Sequence, residues 1–187
     1  IGGTNGKGSI ASFIKSTLKA AGIKAGVTTS PHLVSWCERI QIDENIISPK
    51  EFRQQLISLK PLAKEHQLTP FELVMATAFN HFAKQKVQLL VLEVGLGGRL
   101  DATTAHAFRP IIAMANIGLD HCEYLGKSIK DITKEKAAVI SSGSRVISAD
   151  QHPLVTDILE DTVKQKNAHI QWVSPLPQDW NLGISGE

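Results

Sequence analysis

Near the start of the chain, Gly2-Gly3-Thr4-Asn5-Gly6-Lys7-Gly8-Ser9 combines small side chains with one lysine. Small residues let backbone N–H groups close around phosphate oxygens, and a helix that begins at once adds its partial positive charge. Lys7 supplies a mobile cation for the β- and γ-phosphates of a nucleotide. Gly8 stands where the general pattern has a Ser or Thr whose hydroxyl holds Mg²⁺, so another residue must supply that ligand. Glu93 closes the apolar run 87–92 and precedes Gly95-Leu96-Gly97-Gly98-Arg99-Leu100-Asp101. A carboxylate at the tip of a strand beside a phosphate loop suits Mg²⁺, and the glycines after it read as clearance for a ligand that approaches the backbone.

Three further residues are ambiguous when taken singly. His121 follows an apolar run and the turn Asn116-Ile117-Gly118-Leu119-Asp120, and reads as a hydrogen-bonded structural residue. Lys136, in Lys134-Glu135-Lys136-Ala137-Ala138-Val139, reads as a solvated helix lysine. Ser30 precedes Pro31 and reads as turn-forming.

These residues need elements to hold them. Ile10, Phe13, Ile14, Leu18 and Ala21 recur at helical spacing after Lys7, and Gly22 is a stop. Residues 25–29 read as a strand broken by Ser30-Pro31. Residues 39–47 read as a hairpin turning at Glu44-Asn45. Ser48-Pro49-Lys50-Glu51 and Thr69-Pro70-Phe71-Glu72 each carry an N-cap hydroxyl, a proline at N1 and an acid at N3, so a helix starts at each. The second has the apolar face Phe71, Val74, Met75, Ala78, Phe79 and Phe82. The runs 87–92 and 111–115 suit central parallel strands covered on both faces. Residues 128–140 read as a helix, 145–148 as a strand, 152–166 as a helix and 169–173 as a strand. Alternation of this kind predicts an α/β layered sheet.

The chain has 187 residues, 42% of them hydrophobic and 20% charged, with a formal net charge of +2. That fits one packed domain with no basic field calling for nucleic acid. Cys37 and Cys122 are too few for a disulfide framework and read as free thiols of a reducing cytosol. No apolar run is long enough to span a membrane, and no signal peptide is evident. The whole chain reads as one cytoplasmic, monomeric domain. The glycine-rich start and the closing stretch from Pro175 to Glu187 suggest a domain truncated at both ends.

The motifs together resemble the folylpolyglutamate synthase/dihydrofolate synthase branch of the Mur-ligase superfamily. The resemblance rests on Gly3-Thr4-Asn5-Gly6-Lys7-Gly8-Ser9, Thr29-Ser30-Pro31-His32-Leu33, Glu38-Arg39-Ile40, the run from Glu93 to Thr103, Leu119-Asp120-His121 and Glu135-Lys136-Ala137. It implies the central ATP-binding domain of that family, with a P-loop NTPase-like, mostly parallel sheet and helices on both faces. The glutamate-ligase domain of the family would lie outside the chain, and the chain alone would be inactive. The implied activity is ATP-dependent addition of L-glutamate to dihydropteroate, tetrahydrofolate or both, through an acyl phosphate. The alternatives are a Mur-type ligase acting on a cell-wall precursor and a non-catalytic nucleotide-binding module.

The resemblance also gives the ambiguous residues roles. Two Mg²⁺ ions would be held by Ser30, Glu93, His121 and Lys136, with Lys136 made anionic as a carbamate by CO₂. Lys7, His121 and Lys136 would serve catalysis, and residues 3–9 would bind ATP. The stretch from Ser30 to Arg39 resembles the region that approaches the pterin. Two positions depart from the family pattern: Thr104 where asparagine is usual, and Ala138 where glycine is usual.

Overall fold

The computed structural model describes residues 1–107 and 109–174; the stretch 175–187 lies outside them. The elements, in chain order, are α1 (Lys7–Ala20), β1 (Ala25–Thr28), a 3₁₀ turn at Trp36–Arg39, β2 (Gln41–Ile42), β3 (Asn45–Ile46), α2 (Pro49–Glu65), α3 (Pro70–Lys84) and β4 (Leu89–Leu92). A second 3₁₀ turn (Ala102–Ala105), β5 (Ile111–Met114), the single-turn α4 (Cys122–Leu125), α5 (Ile129–Ala137), β6 (Arg145–Ala149), α6 (Pro153–Gln165) and β7 (His169–Val173) complete them.

The strands form two ladders, β3-β2-β1-β4 and β5-β6-β7, parallel except at the β1-β2-β3 edge. Ile1 and Gly2 sit between them. Ile1 N donates to Leu92 O (2.7 Å) and Ile1 O accepts from Val94 N (3.0 Å), while Gly2 N donates to Ala113 O (2.9 Å) and Gly2 O accepts from Ala115 N (2.8 Å). The first two residues thus bridge β4 and β5 as a central strand would, and the phosphate loop leaves directly from that bridge. The parallel α/β architecture expected from the alternation is observed.

Helices cover both faces around β1 and β4. Ala25, Val27 and Val91 pack with Ala11, Ile14 and Leu18 of α1, whereas Leu90 and Ile42 pack with Val74, Ala78 and Phe82 of α3. Gly26 makes the second contact possible, since a Cβ there would lie 2.7 Å from the Phe82 ring. Burying that ring stabilises the fold by about 1.5–3 kcal/mol. The largest cluster joins β5, β6, α5 and α6 through Ile112, Met114, Ile132, Val146, Val155 and Leu159.

Local chemistry explains the boundaries. Ser48 and Thr69 accept from the backbone N–H of Glu51 and Glu72, as their capping patterns predict. The hairpin differs by a residue, turning at Asp43-Glu44 with Asp43 at φ 52°. Asp43 is fixed by its own bonds to Ala25: its N–H donates to Ala25 O, and its Oδ1 accepts from Ala25 N. α5 ends at Ala137 and not at Ile140, because Val139 N and Ile140 N bond three residues back and tighten the chain as those side chains enter the core. On α1, Phe13 is 67% exposed and Ala11 is buried instead; the sheet-facing stripe is Ala11, Ile14 and Leu18.

His81 is the one histidine in the core among the described residues, 7% exposed on α3. Burial lowers its pKa below the ordinary 6.5, with the Glu51 carboxylate opposing and Lys24 and Lys84 assisting. The folded state therefore prefers neutral imidazole, while the unfolded chain takes up a proton near the ordinary value. Stability from this group is present above that value and is lost as pH falls towards the folded pKa. Thermal melts between about pH 7 and 5.5 should show a fall in Tm that is flatter in His81→Gln. Equal slopes would assign the fall to other groups.

Candidate functional site

In a parallel sheet, the chain leaves every strand at the same edge, and ligands bind in the crevice outside the carboxyl ends. Ser30 follows β1, Glu93 follows β4, the phosphate loop follows the Ile1–Gly2 bridge, and residues 115–121 follow β5. This shared edge brings together residues separated by more than a hundred positions in sequence.

The loop is held from several sides. Gly3 has φ +123°, and a Cβ there would stand 2.7 Å from Ala115 Cβ and 2.8 Å from its carbonyl oxygen, so both conformation and space require glycine. Thr4 N donates to Asn116 O at 2.6 Å, and Thr4 Oγ1 bridges the carbonyl (3.2 Å) and N–H (3.1 Å) of Gly118. Gly6 caps α1 at φ 86° with no side chain bonded to the helix end. The first-turn N–H groups are thus left for an anion. Lys7 Nζ donates to Thr4 O at 2.8 Å, which keeps its charge over the loop.

Gly6, Gly8 and Ser9 line a cavity of ≈ 490 Å³ together with Ser30 and Glu93; Lys15, Leu33, Glu38 and Gln41 form another part of its wall. Glu93 is only 5% exposed. Its Oε2 accepts from Ser30 N (3.0 Å), and both carboxylate oxygens lie about 4 Å from where a Cβ on Gly8 would be. A Cβ at position 8 would rest in ordinary contact with this carboxylate, so Gly8 and Glu93 face each other across the site. Burial raises the Glu93 pKa, although the Ser30 N–H and the Lys7 charge pull it down. A cation beside it would relieve that cost, which fits a metal ligand.

Lys136 and His121 do not line this cavity. Lys136 is not a solvated helix lysine: it is 3% exposed, and its Nζ donates to Gly3 O at 3.0 Å from behind the phosphate loop. Burial and the nearby Lys7 charge lower its pKa to about 8, against the pull of Asp120. A buried amine of this kind is part neutral near neutral pH, the form that reacts with CO₂. His121 lies in the left-handed region (φ 49°) with its ring half exposed, and Nε2 stands 3.5 Å from Asp120 Oδ2. Among the described residues no three His, Cys, Asp or Glu side chains gather as a metal cage. Metal binding here would draw on Ser30 and a modified Lys136 as well as on Glu93 and His121.

The glycines after Glu93 are explained by packing and not by clearance for a ligand. A Cβ on Gly95 would meet Phe71 at 2.8 Å, one on Gly97 would meet Leu125 at 2.9 Å, and one on Gly98 would meet Val139 at 2.6 Å. Asp101 closes this loop, with Oδ2 accepting from Gly95 N and Leu96 N (3.0 Å each) and Oδ1 from Thr103 N (2.9 Å) and Thr103 Oγ1 (2.6 Å). Thr104, one of the two departures, has a single hydroxyl proton shared between Asp101 O (2.7 Å) and Gly98 O (3.2 Å), so the same loop absorbs it. Asp101→Ala leaves four donors without their acceptor and should cost about 3 kcal/mol by urea unfolding. A cost under about 0.5 kcal/mol, the range of ordinary surface substitutions, would remove the brace role. Asp-x-Thr after a glycine run is the sequence signal for such an Asx-type closure.

The middle-domain model of the Mur ligases, described as "Mur ligase middle domain", matches residues 1–172. The chain belongs to the Mur ligase middle-domain family. It is 37% identical over 170 residues to the dihydrofolate synthetase of Saccharomyces cerevisiae, covering 88% of this chain and 40% of that protein. It is 35% identical over 179 residues to the dihydrofolate synthase/folylpolyglutamate synthase of Bacillus subtilis, covering 91% and 41%. Among solved structures, Mycobacterium tuberculosis folylpolyglutamate synthase complexed with ADP superposes with TM-score 0.88 at 33% identity, over 94% of this chain and 43% of that one. E. coli FolC in complex with DHPP and ADP gives TM-score 0.85 at 33% identity, over 91% and 41%. The chain thus spans about 40% of the length of the curated relatives it matches. Among the described residues, no helix of this Mur ligase middle domain is long and apolar enough to cross a membrane.

Proposed function

We propose that this middle domain serves an ATP-dependent ligase that adds L-glutamate to dihydropteroate, tetrahydrofolate or both, in the cytoplasm and as a monomer. The reading is carried by one observation: a braced phosphate loop opens on the same cavity as Ser30 and the buried Glu93, in a chain whose named relatives are folate ligases. The substrate carboxylate attacks the γ-phosphorus of ATP, forming an acyl phosphate and releasing ADP. The glutamate amine then attacks the acyl carbon, and phosphate leaves. Residues 3–9 form the phosphate site, Thr4 N–H bracing the loop on Asn116 O and the first-turn N–H groups serving the phosphates, and Lys7 neutralises charge that moves onto the bridging oxygen.

Ser30, Glu93, His121 and a carbamylated Lys136 are the residues that would hold Mg²⁺, at two sites; the metal supplies charge neutralisation on the triphosphate. Glutamate would be bound by a domain outside residues 1–187, and the chain alone would have little or no ligase activity. The test is ADP release by the protein that carries this chain, with dihydropteroate or tetrahydrofolate and glutamate. Release that needs both substrates supports the proposal; exclusive use of muramyl precursors overturns it.

A further inference from the structure

Between β1 and the first 3₁₀ turn, the chain makes a lip over the cavity. Leu33 and Val34 are 93% and 90% exposed, and Leu33 lines the cavity mouth. Two apolar side chains held so far into water need something to hold them there, and Glu38 does so. Its carboxylate accepts from three consecutive backbone N–H groups: Leu33 (2.8 Å, Oε2), Val34 (2.9 Å, Oε1) and Ser35 (2.6 Å, Oε1). Capping the 3₁₀ turn needs only the Ser35 bond. The bonds to Leu33 and Val34 lie outside that turn and act on the lip alone.

The lip is also tied to the phosphate helix. Lys15 on α1 donates to Gln41 Oε1 at 3.0 Å, and Gln41 Nε2 donates to the Glu38 carbonyl at 2.8 Å. Beside Leu33, His32 and Arg39 are joined (Arg39 Nε to His32 Nδ1, 2.8 Å), and Arg39 lies 4.5 Å from the Trp36 ring centre. Leu33 and Glu38 line the phosphate cavity, while His32, Trp36 and Arg39 pack against one another beside them. An exposed apolar side chain at the mouth of a phosphate cavity suits an acid substrate whose apolar body rests on the lip while its carboxylate reaches the γ-phosphate.

We propose that Glu38 is a positioning residue for the acid substrate: its carboxylate latches the Leu33–Ser35 backbone and so sets the lip at a fixed height above the phosphates. The substrate part of the inference rests on the folate-ligase reading; the latch does not. Glu38→Gln keeps the shape but turns an amide group towards donors, so the three charge-assisted bonds cannot all persist.

The expected result is faster hydrogen exchange at the amides of residues 33–35 with α1 unchanged. In the protein that carries this chain, KM for the pteroate should rise about tenfold while KM for ATP stays within about twofold. Unchanged exchange at 33–35 overturns the latch. Faster exchange with an unchanged pteroate KM overturns the positioning role, as does a parallel loss in every parameter together with a lowered Tm. If the wild-type protein turns over no pteroate, the folate reading and the substrate role fall together, while the exchange measurement still decides the latch.

Discussion

Replacing Lys7 with alanine lowers kcat/KM for ATP by about 10²–10³-fold in the protein that carries this chain, with Tm nearly unchanged. The size follows from what the side chain does. Its ammonium is bonded to Thr4 O, within the loop that opens on the phosphate cavity, and the side chain is only half-buried. Charge that builds on the phosphate oxygens as the acyl phosphate forms then lacks its mobile cation, and water, which must reorganise, replaces a preorganised group. Lys7→Arg should recover little, because a planar guanidinium cannot act as a compact point charge inside a loop this tight. Steady-state ADP release and calorimetric titration with a non-hydrolysable ATP analogue separate turnover from binding. A drop of less than about threefold would show that the loop N–H groups carry the phosphate alone.

Much of this site could be read in the sequence, since its strongest signals are local. Small residues around one lysine, an acid at the end of an apolar run and hydroxyl-proline-x-acid helix starts each depend on neighbours in the chain. What could not be read depends on contacts across the fold. Nothing near Lys136 distinguishes it from the solvated Lys134; only the bond to Gly3 O, 133 positions away, removes it from water. The glycines at 95, 97 and 98 were legible as glycines, but their partners Phe71, Leu125 and Val139 come from three other parts of the chain. Glu38 lies between these cases. Ser35-x-x-Glu38 is a capping-box pattern in plain sight, yet the further bonds to Leu33 and Val34 need the turn of chain that only the folded lip provides. The hairpin shift to Asp43-Glu44 has the same origin, because the anchoring of Asp43 to Ala25 is a tertiary contact.

Lys136→Ala should lower turnover by about 10³-fold, and comparison with Lys136→Arg reveals which form of the side chain matters. Losing the donor to Gly3 O costs about 1–3 kcal/mol of stability, since a buried carbonyl is left without its partner. A 10³-fold loss corresponds to about 4 kcal/mol at the transition state, more than that structural cost. If the cation itself were the working group, Lys136→Arg would retain activity. If an anion is needed, arginine cannot provide one, because its guanidinium stays protonated and does not take up CO₂. Lysine can: with a pKa lowered to about 8, its amine is part neutral, and attack on CO₂ forms the N–C bond and releases a proton. Depleting CO₂ should then slow the wild-type protein and bicarbonate should restore it. Acetate should partly rescue Lys136→Ala by filling the vacated space with a carboxylate, and should leave Lys136→Arg inactive. Retention of more than about a tenth of activity by Lys136→Arg would assign the residue to holding Gly3 in place, because a long cationic donor would then suffice.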